Sequence, residues 1–346
     1  MSSRPDPATI VIASPLEAEL VERIRDVDRK HLRVIHEREL IPSARYVADH
    51  SGHPPDLDQA GRNHWLKLLG SADVLFDFDW YAPADMALNA PDLTWVQATS
   101  SGIGEYIRGL GLDRTRIVFT NVAGIHAVPL AEWVVLGLLY LIKDVPRLRR
   151  EQEHHHWERF TARSLAGRRI LLVGLGGVGR QVARTLAGHG VEVWALRRSD
   201  APVPEGVARL VRNDELSTAL GSVDGLVLAC AYTPETHHLI GAPELAALRP
   251  GAFIVNIARG QVIDEAALVE ALANGHLGGA VLDVVDKEPL PDESPLWAMP
   301  NVLISPHSAS TVDSENGRIV DLFVDNLRRY LDGRLLRNIY ERDRGY

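Results

Sequence analysis

Three polar side chains stand where short apolar runs end, and together they could carry one reaction. Arg259 directly follows Asn256-Ile257-Ala258 and precedes Gly260; Glu288 follows Asp283-Val284-Val285-Asp286-Lys287 and precedes Pro289; His307 follows Ile304-Ser305-Pro306. Arginine can hold a carboxylate through two parallel hydrogen bonds. Histidine can donate a proton near neutral pH, and a carboxylate beside it can orient the ring and stabilise its charged form. Reduction of a 2-oxo acid requires such a set. Taken singly, the three read as a surface arginine, a solvated carboxylate and a loop histidine. Their joint position at neighbouring strand ends, beside a nucleotide site, is the more demanding coincidence.

The nucleotide site is read from Arg169 to Ser199. An apolar run, Ile170 to Val173, leads into Gly174, Gly176 and Gly179 in G-x-G-x-x-G spacing, with Gly177 and Val178 inside the motif. An amphipathic segment follows, with Val178, Val182, Ala183 and Leu186 on one side, and then a second strand from Val191. The first glycine permits a tight turn, the second lets a pyrophosphate approach the backbone, and the third lets helix and strand pack closely. The helix start offers free N–H groups and partial positive charge to the phosphates. A glycine motif alone is weak; strand before, helix after and second strand at the right distance make it a dinucleotide signal. The second strand ends in Arg197-Arg198-Ser199, where an acidic residue would normally accept from the ribose 2′-hydroxyl. Two guanidinium groups there favour NADP(H) over NAD(H), with NAD(H) still usable. Arg197 is expected on the 2′-phosphate and Arg198 on the adenine; the alternative has both arginines solvated and Asp200 reaching the ribose.

The elements that position these residues alternate along the whole chain. Strands are expected at 9–13, 32–35, 73–78, 93–98 and 117–122, then at 170–173, 191–196, 207–211, 225–230, 252–258, 279–284 and 302–305. Helices are expected at 16–27, 65–69, 83–88, 129–142, 214–220, 244–248, 264–273 and 312–331, with Pro146 ending or kinking the segment at 129–142 and Asp264 capping its helix. Such alternation implies parallel strands with helices on both faces, complete once before the glycine-rich turn and again after it. The fold class is therefore α/β with two doubly wound parallel sheets. The last helix is expected to return to the first domain.

Composition sets the outer bounds. The 346 residues suffice for two cores, and a formal charge of −9 without a long basic run argues against nucleic acid as a partner. The first ten residues lack the apolar centre of a signal peptide, and the longest apolar run, Trp133 to Ile142, is about half a membrane span. Cys230 is the single cysteine, so a reducing, cytoplasmic setting is expected. His154-His155-His156 is read as exposed polar surface, since adjacent positions do not share a helix face, and no metal site is expected.

On four motifs, VGLGGVGRQVA, VNIARGQVIDEAALVEAL, LDVVDKEPLPDESPLW and NVLISPHSAS, the sequence resembles the D-isomer-specific 2-hydroxyacid dehydrogenases, a family that includes glyoxylate/hydroxypyruvate reductases. The resemblance covers nearly the whole chain and is weakest before about Leu93. It implies a flavodoxin-like substrate domain (1–122 and 308–346) and a Rossmann domain (123–307), with the active site in a cleft and a homodimer as the usual assembly. It implies that Arg259 binds and polarises the substrate and that His307 with Glu288 is the acid/base pair. Gly174, Gly176, Gly177, Val178, Gly179, Arg197, Arg198, Thr233, Ile257, Ala258, Asp283 and His307 would line the cofactor, Asp283 near the nicotinamide amide. Ser100, Ser101, Gly102 and Ile103 would receive the substrate carboxylate on backbone N–H groups, and Trp80 resembles an aromatic lining small-oxoacid pockets, with core packing an equal reading. Trp297 is expected to pack, the other readings being that it reaches the cleft or the dimer partner. Cys230-Ala231-Tyr232-Thr233 departs from the common proline-containing approach to the TPET turn. Two other readings on the same fold are a nucleotide-sensing corepressor-like protein and a phosphoglycerate dehydrogenase-like enzyme.

Overall fold

The computed structural model describes residues 7–197 and 202–342. Its contacts divide the chain into two compact units, Met1–Ile125 with Val312–Tyr346, and His126–Thr311. The chain thus passes between units at 125/126 and again at 311/312, where the sequence suggested 122/123 and 307/308.

The first unit holds five parallel strands, β1 (Ala8–Ile12), β2 (Leu32–Ile35), β3 (Val74–Phe76), β4 (Trp95–Gln97) and β5 (Val118–Thr120), in the order β2-β1-β3-β4-β5. Alternate residues of β1 face opposite ways, as the two-residue period of a strand requires. Ile10 and Ile12 meet the core that includes Phe76, Trp95, Ile319 and Phe323, while Val11 joins Trp65, Leu75, Val96 and Phe119. The helix Glu315–Leu331 therefore returns to this unit, and the Phe323 ring lies 5.1 Å from both Phe76 and Trp95. The C-terminal tail covers the edge of β5 through an antiparallel bridge between Thr120 and Ile339, which satisfies backbone groups that an open edge would expose.

The second unit holds β6 (Arg169–Val173), β7 (Glu192–Leu196), β8 (Arg209–Val211), β9 (Gly225–Leu228), β10 (Ala252–Asn256), β11 (Leu277–Leu282) and β12 (Val302–Ile304). All pairings are parallel and the order is β12-β11-β10-β9-β6-β7-β8. The order reverses between β6 and β9, the place where open α/β sheets bind ligands beyond their strand ends. The helix Ala127–Ile142 packs on this sheet, and a Cβ at Gly137 would stand 2.7 Å from Val281 Cγ1, so only glycine permits that approach. Pro146 neither ends nor kinks that helix, which stops at Ile142; it lies in the first turn of the next helix, Val145–Glu153, where its missing N–H costs nothing. Asp264 caps the helix Glu265–Ala273, its carboxylate accepting from the Ala267 N–H at 3.2 Å. No helix among the described residues is long and apolar enough to cross a membrane.

Candidate active site

The glycine-rich turn joins β6 to the helix Gly177–Gly188. Gly174 has φ +102°, and a Cβ there would lie 2.7 Å from Cys230 Cα, so both backbone angle and crowding exclude a side chain. A Cβ on Gly179 would stand 2.0 Å from the Gly174 carbonyl oxygen, which makes this the close helix–strand contact. At Gly176 a Cβ would meet nothing within 4 Å. The space above that backbone is open, and the first-turn N–H groups of Gly177, Val178 and Gly179 point out of the helix start. Donors, partial positive charge and an unobstructed backbone suit a pyrophosphate.

Beyond β7, Arg197 donates from its backbone N–H to Val211 O (3.1 Å) and from Nη1 to Pro202 O (3.2 Å). Arg198 and Asp200 lie outside the described residues. Thr233 follows β9; its N–H donates to Thr236 Oγ1 at 2.7 Å and its hydroxyl to Glu235. Tyr232 OH is 3.2 Å from His237 Nδ1, and the His237 ring stacks 4.0 Å from His238. The side chains of Ile257 and Ala258 are buried in the core, 7% and 4% exposed, so only their backbone is presented at this surface.

The three polar residues follow three adjacent strands, Arg259 after β10, Glu288 after β11 and His307 after β12. His307 Nδ1 lies 2.8 Å from Glu288 Oε2, and the other Glu288 oxygen accepts from the Val285 N–H at 3.3 Å. The ring is thus held through Nδ1. His307 has φ +52°, and its N–H reaches the carbonyl oxygens of Asp283 and Ser305, each at 2.9 Å. Asp283 is buried and accepts from the Ala309 N–H at 2.9 Å, so it ties down the far side of the same loop.

Arg259 is exposed, with Nη1 donating to the Ala258 carbonyl at 2.7 Å. Its loop is shaped by a residue that the sequence reading did not single out. Asn256, 1% exposed, accepts from the Ala258 N–H and donates to the Arg259 carbonyl, both at 3.0 Å. A buried amide between two turn residues was visible in VNIARG only as a polar residue ending an apolar strand. Gly260 completes the arrangement: a Cβ there would stand 1.9 Å from Val285 O, so the loops after β10 and β11 touch backbone to backbone.

Apart from Arg259, the residues expected on the substrate belong to the first unit. Ser100 to Ile103 join β4 to the helix Gly104–Gly109, and the Ile103 side chain is buried in that unit's core. Among the described residues, no hydrogen bond leaves the N–H of Gly102 or of Ile103. Trp80 packs 5.9 Å from Trp65, and its Nε1 is buried without a partner among the described residues. Trp297 does not pack into a core. It is 57% exposed, and its Nε1 donates to Pro291 O at 3.0 Å, because the short turn Pro295–Ala298 buries Leu296 instead. His156 pairs with Glu151 on the surface, and no group of three or more metal-binding side chains occurs among the described residues.

The family profile described as D-isomer specific 2-hydroxyacid dehydrogenase, NAD binding domain, matches residues 135–309. A glyoxylate/hydroxypyruvate reductase of Arabidopsis thaliana is 30% identical over 73% of this chain and 77% of its own length. A D-isomer specific 2-hydroxyacid dehydrogenase family protein from Aeromonas salmonicida superposes with a TM-score of 0.80 at 30% identity, covering 97% of this chain and 100% of that one. The NADPH-dependent glyoxylate/hydroxypyruvate reductase of Sinorhizobium meliloti, solved with NADP and sulfate, gives 0.75 at 25% identity over 98% of this chain and 100% of that one.

Proposed function

Because the chain belongs to the D-isomer-specific 2-hydroxyacid dehydrogenase family of NAD(P)-dependent oxidoreductases, we propose that it reduces a small 2-oxo acid of the glyoxylate or hydroxypyruvate kind to the D-2-hydroxy acid, with NADP(H) preferred. The carrying observation is the 2.8 Å pairing of His307 with Glu288, on loops adjoining that of Arg259 and on the same sheet as the glycine turn. The bound nicotinamide supplies the hydride. Arg259 grips the substrate's carboxylate and draws electron density toward its carbonyl oxygen. His307, charged before reduction, donates its Nε2 proton to that oxygen, and Glu288 stabilises the charged ring and fixes its orientation. Gly102 and Ile103 offer backbone N–H groups to the carboxylate, in line with their lack of other acceptors.

The cofactor preference rests on Arg197 and Arg198 in place of an acidic residue, and the Sinorhizobium relative's use of NADPH agrees with it. Following NADPH and NADH oxidation with glyoxylate, hydroxypyruvate and pyruvate tests both parts. A charge-assisted hydrogen bond contributes roughly 1.5–3 kcal/mol, or about one to two decades of affinity. NADPH should therefore lead by about that margin, and Arg197→Ala combined with Arg198→Ala should erase most of it while kcat at saturating cofactor holds. A wild-type kcat/KM favouring NADH would overturn the cofactor assignment, and absence of turnover with all three acids would overturn the substrate class.

A further inference from the structure

A second group of chemistry-bearing residues gathers at the strand ends of the first unit, and the proposed reaction has not used it. The order β2-β1-β3-β4-β5 reverses between β1 and β3, so this sheet too has a switch point at which ligands settle. Ser14 follows β1 and is 1% exposed; Asp77 follows β3; Thr99 follows β4 and directly precedes Ser100. His50 reaches them from the long connection between β2 and the helix Gln59–Leu69. Its Nδ1 lies 3.2 Å from Ser14 Oγ. Its Nε2 is buried and has no partner among the described residues.

On the other side, Asp77 sits at φ +71° with its carboxylate taking the Thr99 hydroxyl at 2.8 Å and the Phe78 N–H at 3.0 Å. Burial pushes this carboxyl up from its ordinary range. Asp77 and Thr99 thus tie the end of β3 to the residue that opens the Ser100–Ile103 loop, at the same sheet edge as Ser14, which His50 meets. The connection that carries His50 is itself fixed. Asp49 accepts from the Arg45 N–H (3.0 Å), Arg45 Nε (2.7 Å), Arg45 Nη2 (3.1 Å) and the Gly52 N–H (3.0 Å). Ser43 and His53 close the loop by an antiparallel bridge.

A buried ring nitrogen without a partner costs free energy, and folded proteins leave few such groups. Here it stands at the same sheet edge as the loop assigned to the substrate carboxylate, with the end of β3 between them. With Ser14 donating its O–H to Nδ1, the ring carries its proton on Nε2 and becomes a donor there. We propose that His50 sets specificity for 2-oxo acids bearing a hydroxyl on the carbon next to the carbonyl, its Nε2–H donating to that hydroxyl. The inference rests on the reductase reading above, since it takes Ser100–Ile103 as the carboxylate site. A site built to bind a hydroxyl rejects the analogue lacking it, because its own polar group then stays unpaired.

Hydroxypyruvate and pyruvate differ only in that hydroxyl, so steady-state kinetics with the pair isolates it. The wild-type protein should favour hydroxypyruvate. His50→Phe, which keeps a ring but no donor, should lower its kcat/KM roughly 5-fold to 100-fold, mainly through KM, and leave pyruvate little changed. His50→Gln, whose amide nitrogen reaches about as far as Nε2, should restore part of the loss, and NADPH affinity should be the same in all three proteins. Equal losses on both acids, no loss on either, or a wild type indifferent to the hydroxyl would overturn the assignment of His50 while the reductase reading stands. A wild type inert toward every 2-oxo acid would overturn both.

Discussion

His307 shows how much of the site's chemistry is decided within one residue. A non-glycine residue at φ +52° is held against its own preference. The two carbonyl oxygens that receive its N–H and the carboxylate at Nδ1 hold it there. The ring therefore has few orientations left to lose. On the proposed mechanism, replacing His307 by alanine removes the proton donor, so kcat should fall ~10²–10⁴-fold while dinucleotide binding, measured by fluorescence titration, is retained. Near-normal turnover would rule out its role as the proton donor. On the same proposal Arg259→Ala should damage both KM and kcat, because an arginine on the substrate carboxylate would meet ground state and transition state alike. Residue types and order marked Arg259, Glu288 and His307 as strand-end residues, and the structure sets them after three adjacent strands. The left-handed backbone of His307 was not legible in the sequence, since nothing in Ser305-Pro306-His307 forces it.

At the scale of elements, the loops after β10 and β11 depend on one another through Gly260. Its Cβ position is occupied by the Val285 carbonyl at 1.9 Å, so Gly260→Ala must push the loops apart and move Arg259. We expect turnover to be lost with the dinucleotide still bound, since the glycine turn after β6 is untouched; an active Gly260→Ala enzyme would show that the loops tolerate separation. The sequence announced these strands because parallel strands buried on both faces are continuous apolar runs, as at 252–255 and 170–173. It was less informative where polar side chains organise irregular backbone. The four hydrogen bonds to Asp49 and the Asn256 bracket depend on residues meeting across a turn, which no periodicity reports. Pro146 misled for a related reason: proline breaks a helix interior but suits a first turn, and the local sequence does not say which position it takes. Trp297 was expected to pack, yet the turn around it buries Leu296.

At the scale of the whole molecule, the first unit is discontinuous and the second is not. The helix Glu315–Leu331 contributes Ile319, Val320, Phe323 and Leu327 to a core otherwise built from residues before 126. A chain truncated after Thr311 should keep a folded, dinucleotide-binding second unit and lose turnover entirely, its first unit giving the proteolytic pattern of an unfolded segment. Intact resistance of residues 7–125 to protease in that truncation would show that the returning helix is dispensable. The same connectivity has a consequence for how the protein is made. Domains generally fold as units while the chain emerges, at about 5–20 residues per second. The 186 residues from His126 to Thr311 separate the first unit's sheet from the helix that must cover it, a delay of roughly ten to forty seconds at that pace. During it, Phe76 and Trp95 face solvent on the nascent chain, and the unit synthesised first is the last to close.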